Sequence, residues 1–442
     1  MGAIEAVAAE AGARASRFLG ASGNVGLAIG LLAGGERVVL GCGETARGSG
    51  VVPDGSTVFE IGSITKVFTA LLLAEAAGRG EVRLDQPVGE LLPAGVRAPD
   101  YRGEPITLAQ LAQHASSLPR LPSGFLRTVK DWTNPYRDYG AGELHASLNR
   151  TRLAFPPGSG VKYSNLGAGL LGYALASRAG VSYEGLLAER VLRPLGLSDT
   201  GIEPSDDQEA RLAKGHERGR PTSNWDLGSL AGAGALRSTV AEMLTFLEAN
   251  LDPAGSPLEA PLRACHEPRP VAWRRRVRVG LAHGLGLAIA SILVQRGVPV
   301  PPGSGWFLAL VHLPMMLAMA WKGFWSATWA ALATWAGCLA LWGSRFGWLP
   351  AGVVMGALLV AAGMVAGYVP PASRARLGWQ ESDLGGGATA LWHNGGTGGY
   401  RSFLGFVAGS NVGVVVLANS TGDVDAIGFD LLKRLHHAAP KA

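Results

Sequence analysis

The sequence predicts an α/β (α+β) chain of two lobes, an antiparallel sheet flanked by helices and an all-α lobe, interrupted by a four-helix transmembrane insertion. Three observations predict it. Short apolar runs separated by glycine-rich turns occupy both ends of the chain, helical spacing dominates residues 84–200, and four long apolar runs crowd residues 277–369. The 442 residues are 48% hydrophobic and 17% charged, too apolar for an ordinary soluble enzyme, and the excess is local to that last region.

Met1 to Gly20 carries Glu5, Glu10, Arg14 and Arg17 among alanines, the pattern of an amphipathic helix. It lacks the charged segment and apolar core of a cleavable signal peptide, so none is expected. Val25–Leu32 and Arg37–Leu40, joined by Ala33-Gly34-Gly35-Glu36, form a hairpin that starts the sheet. A strand over Val58–Gly62 then passes into a helix over Val67–Ala77, which Gly78-Arg79-Gly80 stops. Residues 84–200 form the all-α lobe, broken by turns such as Leu118–Pro122 and Phe155–Gly158, and include a helix over Leu166–Ala176. Asn224–Ala235 is rich in glycine and alanine, and Ser238 is placed as the N-cap of a helix over Thr239–Ala249.

Val277–Gln295, Trp306–Trp321, Phe324–Trp342 and Leu349–Val369 approach the roughly 20 residues that a membrane crossing needs. Seven of the twelve tryptophans lie between Trp306 and Trp348, several at run ends, as interfacial anchors do. Buried helices of a soluble domain are the competing explanation. His283 and His312 fall inside two of the runs and are assigned to packing. Gly352/Gly356 and Gly363/Gly367 are small-residue pairs suited to helix contacts. Beyond Pro370-Pro371, the runs Arg376–Gln380, Ala388–Trp392, Tyr400–Val407 and Val412–Asn419 predict an antiparallel meander, closed by an amphipathic helix over Val424–His437.

Chemistry enters at Ser63-Ile64-Thr65-Lys66. A serine hydroxyl needs a base within hydrogen-bond reach, and a residue three positions on along a helix shares its face, so Lys66 is aimed at Ser63. Unpaired N–H groups at the helix start would meet an oxyanion there. S-x-x-K is a weak pattern that recurs at Ser159–Lys162, but that copy lies in a Pro/Gly turn with no helix to align it. Tyr163 precedes the helix that begins near Leu166 and is placed to relay a proton, although a turn tyrosine without a role is the commoner finding. His393 stands before a glycine run, Gly395-Gly396-Thr397-Gly398-Gly399, that lets backbone approach a substrate closely, an exposed hairpin histidine being the alternative.

Composition narrows the classes. A net charge of +5 with scattered basic residues fits a membrane edge better than a nucleic-acid groove, so no nucleic-acid partner is expected. Cys42, Cys265 and Cys338 lie far apart, without the spacing of a zinc site or a disulfide framework. G-x-S-x-G, H-E-x-x-H and P-loop motifs do not occur.

Taken together, Ser63–Lys66, Tyr163–Asn165 and His393–Gly395 resemble, in order, the S-x-x-K, Y-x-N and H/K-x-G boxes of the class C β-lactamase and penicillin-binding-protein-like serine hydrolase superfamily. Leu84–Val88, Leu108–Pro119 with His114, Pro194–Leu197 and Val414–Asn419 agree with it, so the resemblance covers roughly residues 20–250 and 375–437. It implies a β-lactamase/transpeptidase-like fold, with Ser63 as acyl-enzyme nucleophile, Lys66 as its base and Tyr163 as proton relay. It implies that His393 keeps the site electrostatically suited to Tyr163. Asn165, Asn394, Gly395 and Gly396 would bind substrate, with the N–H groups of Ser63 and Gly396 forming the oxyanion hole. Asn394 replaces the usual hydroxyl residue of the third box, and His114-Ala115-Ser116-Ser117-Leu118 departs from H-T-S-G-L.

The expectation is therefore a hydrolase domain over residues 1–272 and 373–442, with a membrane insertion over 274–371. An even number of crossings returns the chain to its starting side, so both halves can meet. The reaction expected is acyl transfer from an ester or amide to water. A ligand sensor that is acylated without turnover and an acyltransferase are the rivals. A small-molecule or peptide substrate and membrane lipid are the partners, and no metal or organic cofactor is implied. Arg274, Arg275, Arg276, Arg278, Lys322, Arg374 and Arg376 lie on the catalytic side against Arg296 and Arg345 on the other, which places the catalytic lobes in the cytoplasm, with the insertion in a bacterial inner membrane.

Overall fold

The computed structural model describes residues 3–271 and 374–438. Contacts divide the chain into a discontinuous unit, Met1–Arg269 with Arg374–Ala442, and a second unit, Pro270–Ser373. The sheet and the candidate site lie in the first. The four apolar runs of 277–369 fall outside the described residues. Among the described residues, no helix is long and apolar enough to cross a membrane.

Helix α1 (Ala3–Gly20) buries Ile4, Val7, Ala11, Ala15 and Phe18, one stripe at three- and four-residue spacing. The hairpin follows as β1 (Gly26–Ala33) and β2 (Glu36–Gly43). Short strand β3 (Val58–Glu60) leads through a 3-10 turn, Gly62–Ile64, into α2 (Thr65–Gly78), whose residues from Thr65 to Ala76 are all buried. The helical lobe contributes α3 (Leu108–Ala112), α4 (Ala141–Arg150), α5 (Asn165–Ala179) and α6 (Tyr183–Leu187). Strand β4 (Arg237–Thr239) pairs antiparallel with β3 and runs into α7 (Val240–Leu251).

After the second unit come β5 (Gln380–Gly385), β6 (Ala388–Gly396), β7 (Arg401–Val407), β8 (Val412–Ala418) and α8 (Asp425–Ala438). They complete a six-stranded antiparallel sheet of order β5-β6-β7-β8-β1-β2. Side chains alternate across it. Leu27, Ile29, Leu31, Phe403, Val414 and Val416 cluster with α1 and α8, whereas Ala28, Leu32, Leu404, Phe406, Val415 and Leu417 join the larger core shared with α2 and α7.

Three expectations are corrected. The helical lobe is not all-α: Asp100–Tyr101 and Glu104–Pro105 pair as a small hairpin, and much of 113–140 and 151–164 is irregular. Pro119, Pro122, Pro135, Pro156 and Pro157 break helices there by removing N–H donors. The N-cap of α7 is Thr239, whose hydroxyl accepts from Glu242 N at 3.2 Å; Ser238 is a strand residue whose Oγ lies 2.7 Å from Thr200 Oγ1. The first strand of the C-terminal meander spans 380–385 rather than 376–380, because Leu377 and Trp379 are buried in the core, with the Trp379 ring 5.2 Å from that of Phe406.

Candidate active site

Ser63 sits in the 3-10 turn at the foot of α2, and its surroundings explain the glycine before it. Gly62 has φ +51°, and a Cβ there would lie 2.6 Å from Gly396 N, so the end of β6 rests directly on the turn. Ser402 Oγ donates to Ile61 O at 2.8 Å and ties β7 to the same point.

In the first turn of α2, Lys66 is 3% exposed because the helix is apolar on every side. Its Nζ lies 2.8 Å from Ser63 Oγ and 2.5 Å from Ala233 O. Burial, with a smaller contribution from the Arg120 charge, holds the amine well below its ordinary 10.5. The amine donates to Ala233 O, and in its deprotonated form it keeps a lone pair for the Ser63 proton. Ser159 and Lys162 lie in irregular chain with no helix to align them.

Tyr163 is positioned by the start of α5. Ser164 caps that helix, accepting from Gly167 N at 2.9 Å while its hydroxyl donates to Pro119 O at 2.6 Å. The phenol ring packs 4.4 Å from His114, centroid to centroid, and 6.1 Å from His393, with Lys66 Nζ 4.9 Å from its centre. Burial pushes the phenol up to about 12, against the pull of a hydrogen bond with Ser63. Tyr163 is thus protonated at neutral pH.

Both histidines are neutral. His393 Nδ1 stands 2.6 Å from the Asn394 carbonyl, which only accepts, so the proton is on Nδ1 and Nε2 is bare. Burial, then the nearby Lys66, lowers its pKa to about 3. His114 Nδ1 accepts from Ser164 N at 3.2 Å, and burial lowers its pKa well below 6.5. His393 is no exposed hairpin residue, since it is fully buried within β6.

The cleft over Ser63 is lined by Tyr136, Asn165, Trp225, Leu227, Leu230, Ala233, Gly234, Gly396 and Thr397. Of the expected substrate-binding residues, the structure brings Asn165 and Gly396 there and not the other two. Asn394 is turned to the opposite face of the sheet, where Nδ2 donates to Asp425 Oδ2 at 2.5 Å, because strand residues alternate and its neighbour His393 takes the inner face. Gly395 serves packing: a Cβ would overlap Ile61 O and Ser402 Oγ. Gly395→Ala is expected to destabilise by about 1–3 kcal/mol, visible as a lowered thermal midpoint.

Sequence reasoning missed Tyr136, Trp225, Ala233 and Thr397. The run of small residues Asn224–Ala235 was the signal for Ala233, since only small side chains let its carbonyl reach Lys66. Among the described residues, no cluster of three or more acids, histidines or cysteines suited to a metal occurs.

An antiparallel sheet, a helical lobe and a cleft serine paired with a buried lysine at the foot of the helix between them define the class: the two-lobed fold of β-lactamases and D-alanine carboxypeptidases. The structure titled beta-lactamase/D-alanine carboxypeptidase from Yersinia pestis complexed with citrate matches it with a TM-score of 0.63 and 22% identity, covering 96% of each chain.

The chain belongs to the beta-lactamase family, whose profile matches residues 11–360. It is 38% identical over 229 residues to the D-alanyl-D-alanine-carboxypeptidase/endopeptidase AmpH of Escherichia coli K12, covering 51% of this chain and 57% of that protein. It is 28% identical over 244 residues to a beta-lactamase of Pseudomonas fluorescens, covering 54% and 64%. The chain thus spans between half and two thirds of the length of these curated relatives.

Proposed function

We propose that this chain is a membrane-anchored serine hydrolase that forms an acyl-enzyme on Ser63 with an amide or ester, D-amino-acid peptides foremost. The carrying observation is the buried Lys66 amine 2.8 Å from Ser63 Oγ, its pKa held well below 10.5 by burial. The carboxypeptidase/endopeptidase name of the 38%-identical relative supports the peptide substrate.

In this reading the Ser63 proton passes to Lys66 Nζ as Oγ bonds to the substrate carbonyl carbon. The oxyanion is met by the N–H groups of Ser63 and Gly396. The proton then travels through Tyr163 to the leaving group as its bond to the carbonyl carbon breaks. Water, giving its proton to the same base, cleaves the Ser63 ester and restores the hydroxyl. Asn165 orients the acyl donor, and neutral His393 keeps a second cation away from Tyr163.

Intact-mass detection of a Ser63 adduct with a fluorophosphonate, followed by a panel of esters, D-alanyl peptides and β-lactams, tests this reading. Adduct formation with turnover is expected. An adduct with every substrate and release of none would favour the sensor, and transfer to an added alcohol or amine would favour the acyltransferase.

The membrane anchor is residues 274–371, supported by four apolar runs, their tryptophan-rich ends and their even number. The protein is expected to stay in the pellet after alkaline carbonate washing; recovery in the supernatant without detergent would count against four spans. The seven-to-two distribution of basic residues supports catalytic lobes on the cytoplasmic side. A green fluorescent protein fused after Ala442 should then be bright and a phosphatase fused there inactive; the reverse pair would place the lobes outside.

A further inference from the structure

A second cavity, of about 220 Å³, lies away from the Ser63 cleft, between the C-terminal halves of α2 and α5. Its walls belong to the helices that begin at the active site: Leu72 and Ala76 follow Lys66 on α2, and Leu175, Arg178 and Ala179 follow Asn165 on α5. At a rise of 1.5 Å per residue, Ala76 lies about 15 Å along the helix from Lys66. Cleft and cavity share no lining residue.

Small side chains open this void. Ala76 and Ala179 leave space between the two helices, and Val82, just past α2, and Leu186 of α6 close it. Leu72, Ala76, Val82, Leu175 and Leu186 are all buried, so the floor is recessed and apolar. Protein interiors seldom leave a void larger than one water, and this one has the volume of about seven. Water there finds few hydrogen-bond partners on the floor, so an aliphatic group gains by replacing it.

The rim is charged, and its charges do not balance. Beyond α6 the chain widens into a π turn, Ala188–Leu192, closed by Arg193 N donating to Ala188 O at 2.9 Å, which carries Arg190 to the rim. Arg190 donates to Glu81 at 2.6 Å and to the buried Glu75 at 3.4 Å. Arg79 meets the same two carboxylates, Glu81 at 3.1 Å and Glu75 at 3.5 Å. Two guanidiniums and two carboxylates are thereby matched. Arg178 is the remainder: it lines the cavity at an exposed position, and among the described residues its guanidinium has no ion pair or hydrogen bond.

We propose that this cavity is a second ligand site, separate from the Ser63 cleft, for small aliphatic monocarboxylates. The chain lies on the leucine floor and the carboxylate meets Arg178. The volume holds a chain of about five carbons. A cation of the same shape would face Arg178 at the rim, and a dicarboxylate would bury its second charge against the apolar floor without a partner.

Hexanoate, hexanol and hexylamine, titrated calorimetrically into the purified full-length chain in detergent, test this site. The parent is expected to bind hexanoate about tenfold more tightly than hexanol, the worth of a charge-assisted hydrogen bond, and to give no heat with hexylamine. Arg178→Gln should bring hexanoate down to the affinity of hexanol, whereas Arg178→Lys should keep most of the preference. Added salt should weaken that preference, because the pair is exposed. Ala76→Leu, which fills the floor, should abolish binding of both hexanoate and hexanol; if that variant does not fold, the two Arg178 variants decide alone.

No heat from hexanoate with the parent overturns the proposal, as does hexanol or hexylamine binding as tightly as hexanoate. Unchanged hexanoate binding in Arg178→Gln, or in folded Ala76→Leu, overturns it as well, by placing the ligand elsewhere. Binding is read without turnover, so the outcome does not depend on acylation of Ser63.

Discussion

Ser63→Ala is expected to reduce both fluorophosphonate labelling and hydrolysis to background, whereas Ser159→Ala leaves them nearly intact. The two serines share the same S-x-x-K spacing, so the contrast isolates context. At Ser63 the spacing runs into α2, and the lysine amine arrives 2.8 Å from the hydroxyl in a buried site. At Ser159 the same spacing crosses a Pro/Gly turn, and Lys162 is exposed. Labelling rates and intact mass read the outcome. Labelling of the Ser63→Ala protein at the parent rate would remove the nucleophile assignment.

Lys66→Met and Tyr163→Phe are each expected to lower kcat by about 10² to 10⁴, the usual worth of a general acid–base step. The direction of the pH profile separates them. Lys66 acts as a base only when neutral, so kcat/KM rises with pH through its lowered pKa, below 10.5, and the parent has an acid limb there. Tyr163 works protonated, so activity declines only toward about 12. His393, at about 3, contributes no limb between pH 5 and 8. Lys66→Met should erase the acid limb from the residual rate, and Tyr163→Phe should keep it. A Tyr163→Phe rate within about twofold of the parent would remove the relay role.

The same residue links activity to stability. Below its folded pKa, Lys66 must be protonated inside an apolar helix; between that value and 10.5, unfolding takes up a proton there. Its contribution to stability therefore improves as pH rises through this window and levels off above 10.5. Lys66→Met should flatten that slope in urea-unfolding midpoints.

Local signals carried much of the fold. Apolar periodicity located α1, the β1–β2 hairpin, α2, α5 and α8 to within a few residues, because each buries a continuous stripe or alternation of its own residues. Prediction slipped where a neighbour distant in sequence sets the boundary. Trp379 is claimed by the core around Phe406, which shortens the first C-terminal strand, and Ser238 is claimed by pairing with β3, which moves the cap to Thr239. The pairing of β1 with β8, such as Ile29 opposite Val416, joins the two ends of the chain, and no local pattern encodes it.

By itself the sequence determined the chemical core: a serine and a lysine one helical turn apart, a tyrosine beside a helix start and a histidine before glycines, each defined by backbone geometry that neighbouring residues specify. Only the tertiary structure decided what those groups are. Burial lowered the pKa of Lys66, and strand parity sent Asn394 to Asp425 and His393 inward. The fold also brought Ala233 O to the amine and set the Arg120 guanidinium 5.4 Å from the centre of the Tyr163 ring. Protonation and partnership depend on what lies within a few ångströms in space, and that set is assembled from segments up to some 340 residues apart, as Ile61 and Ser402 are.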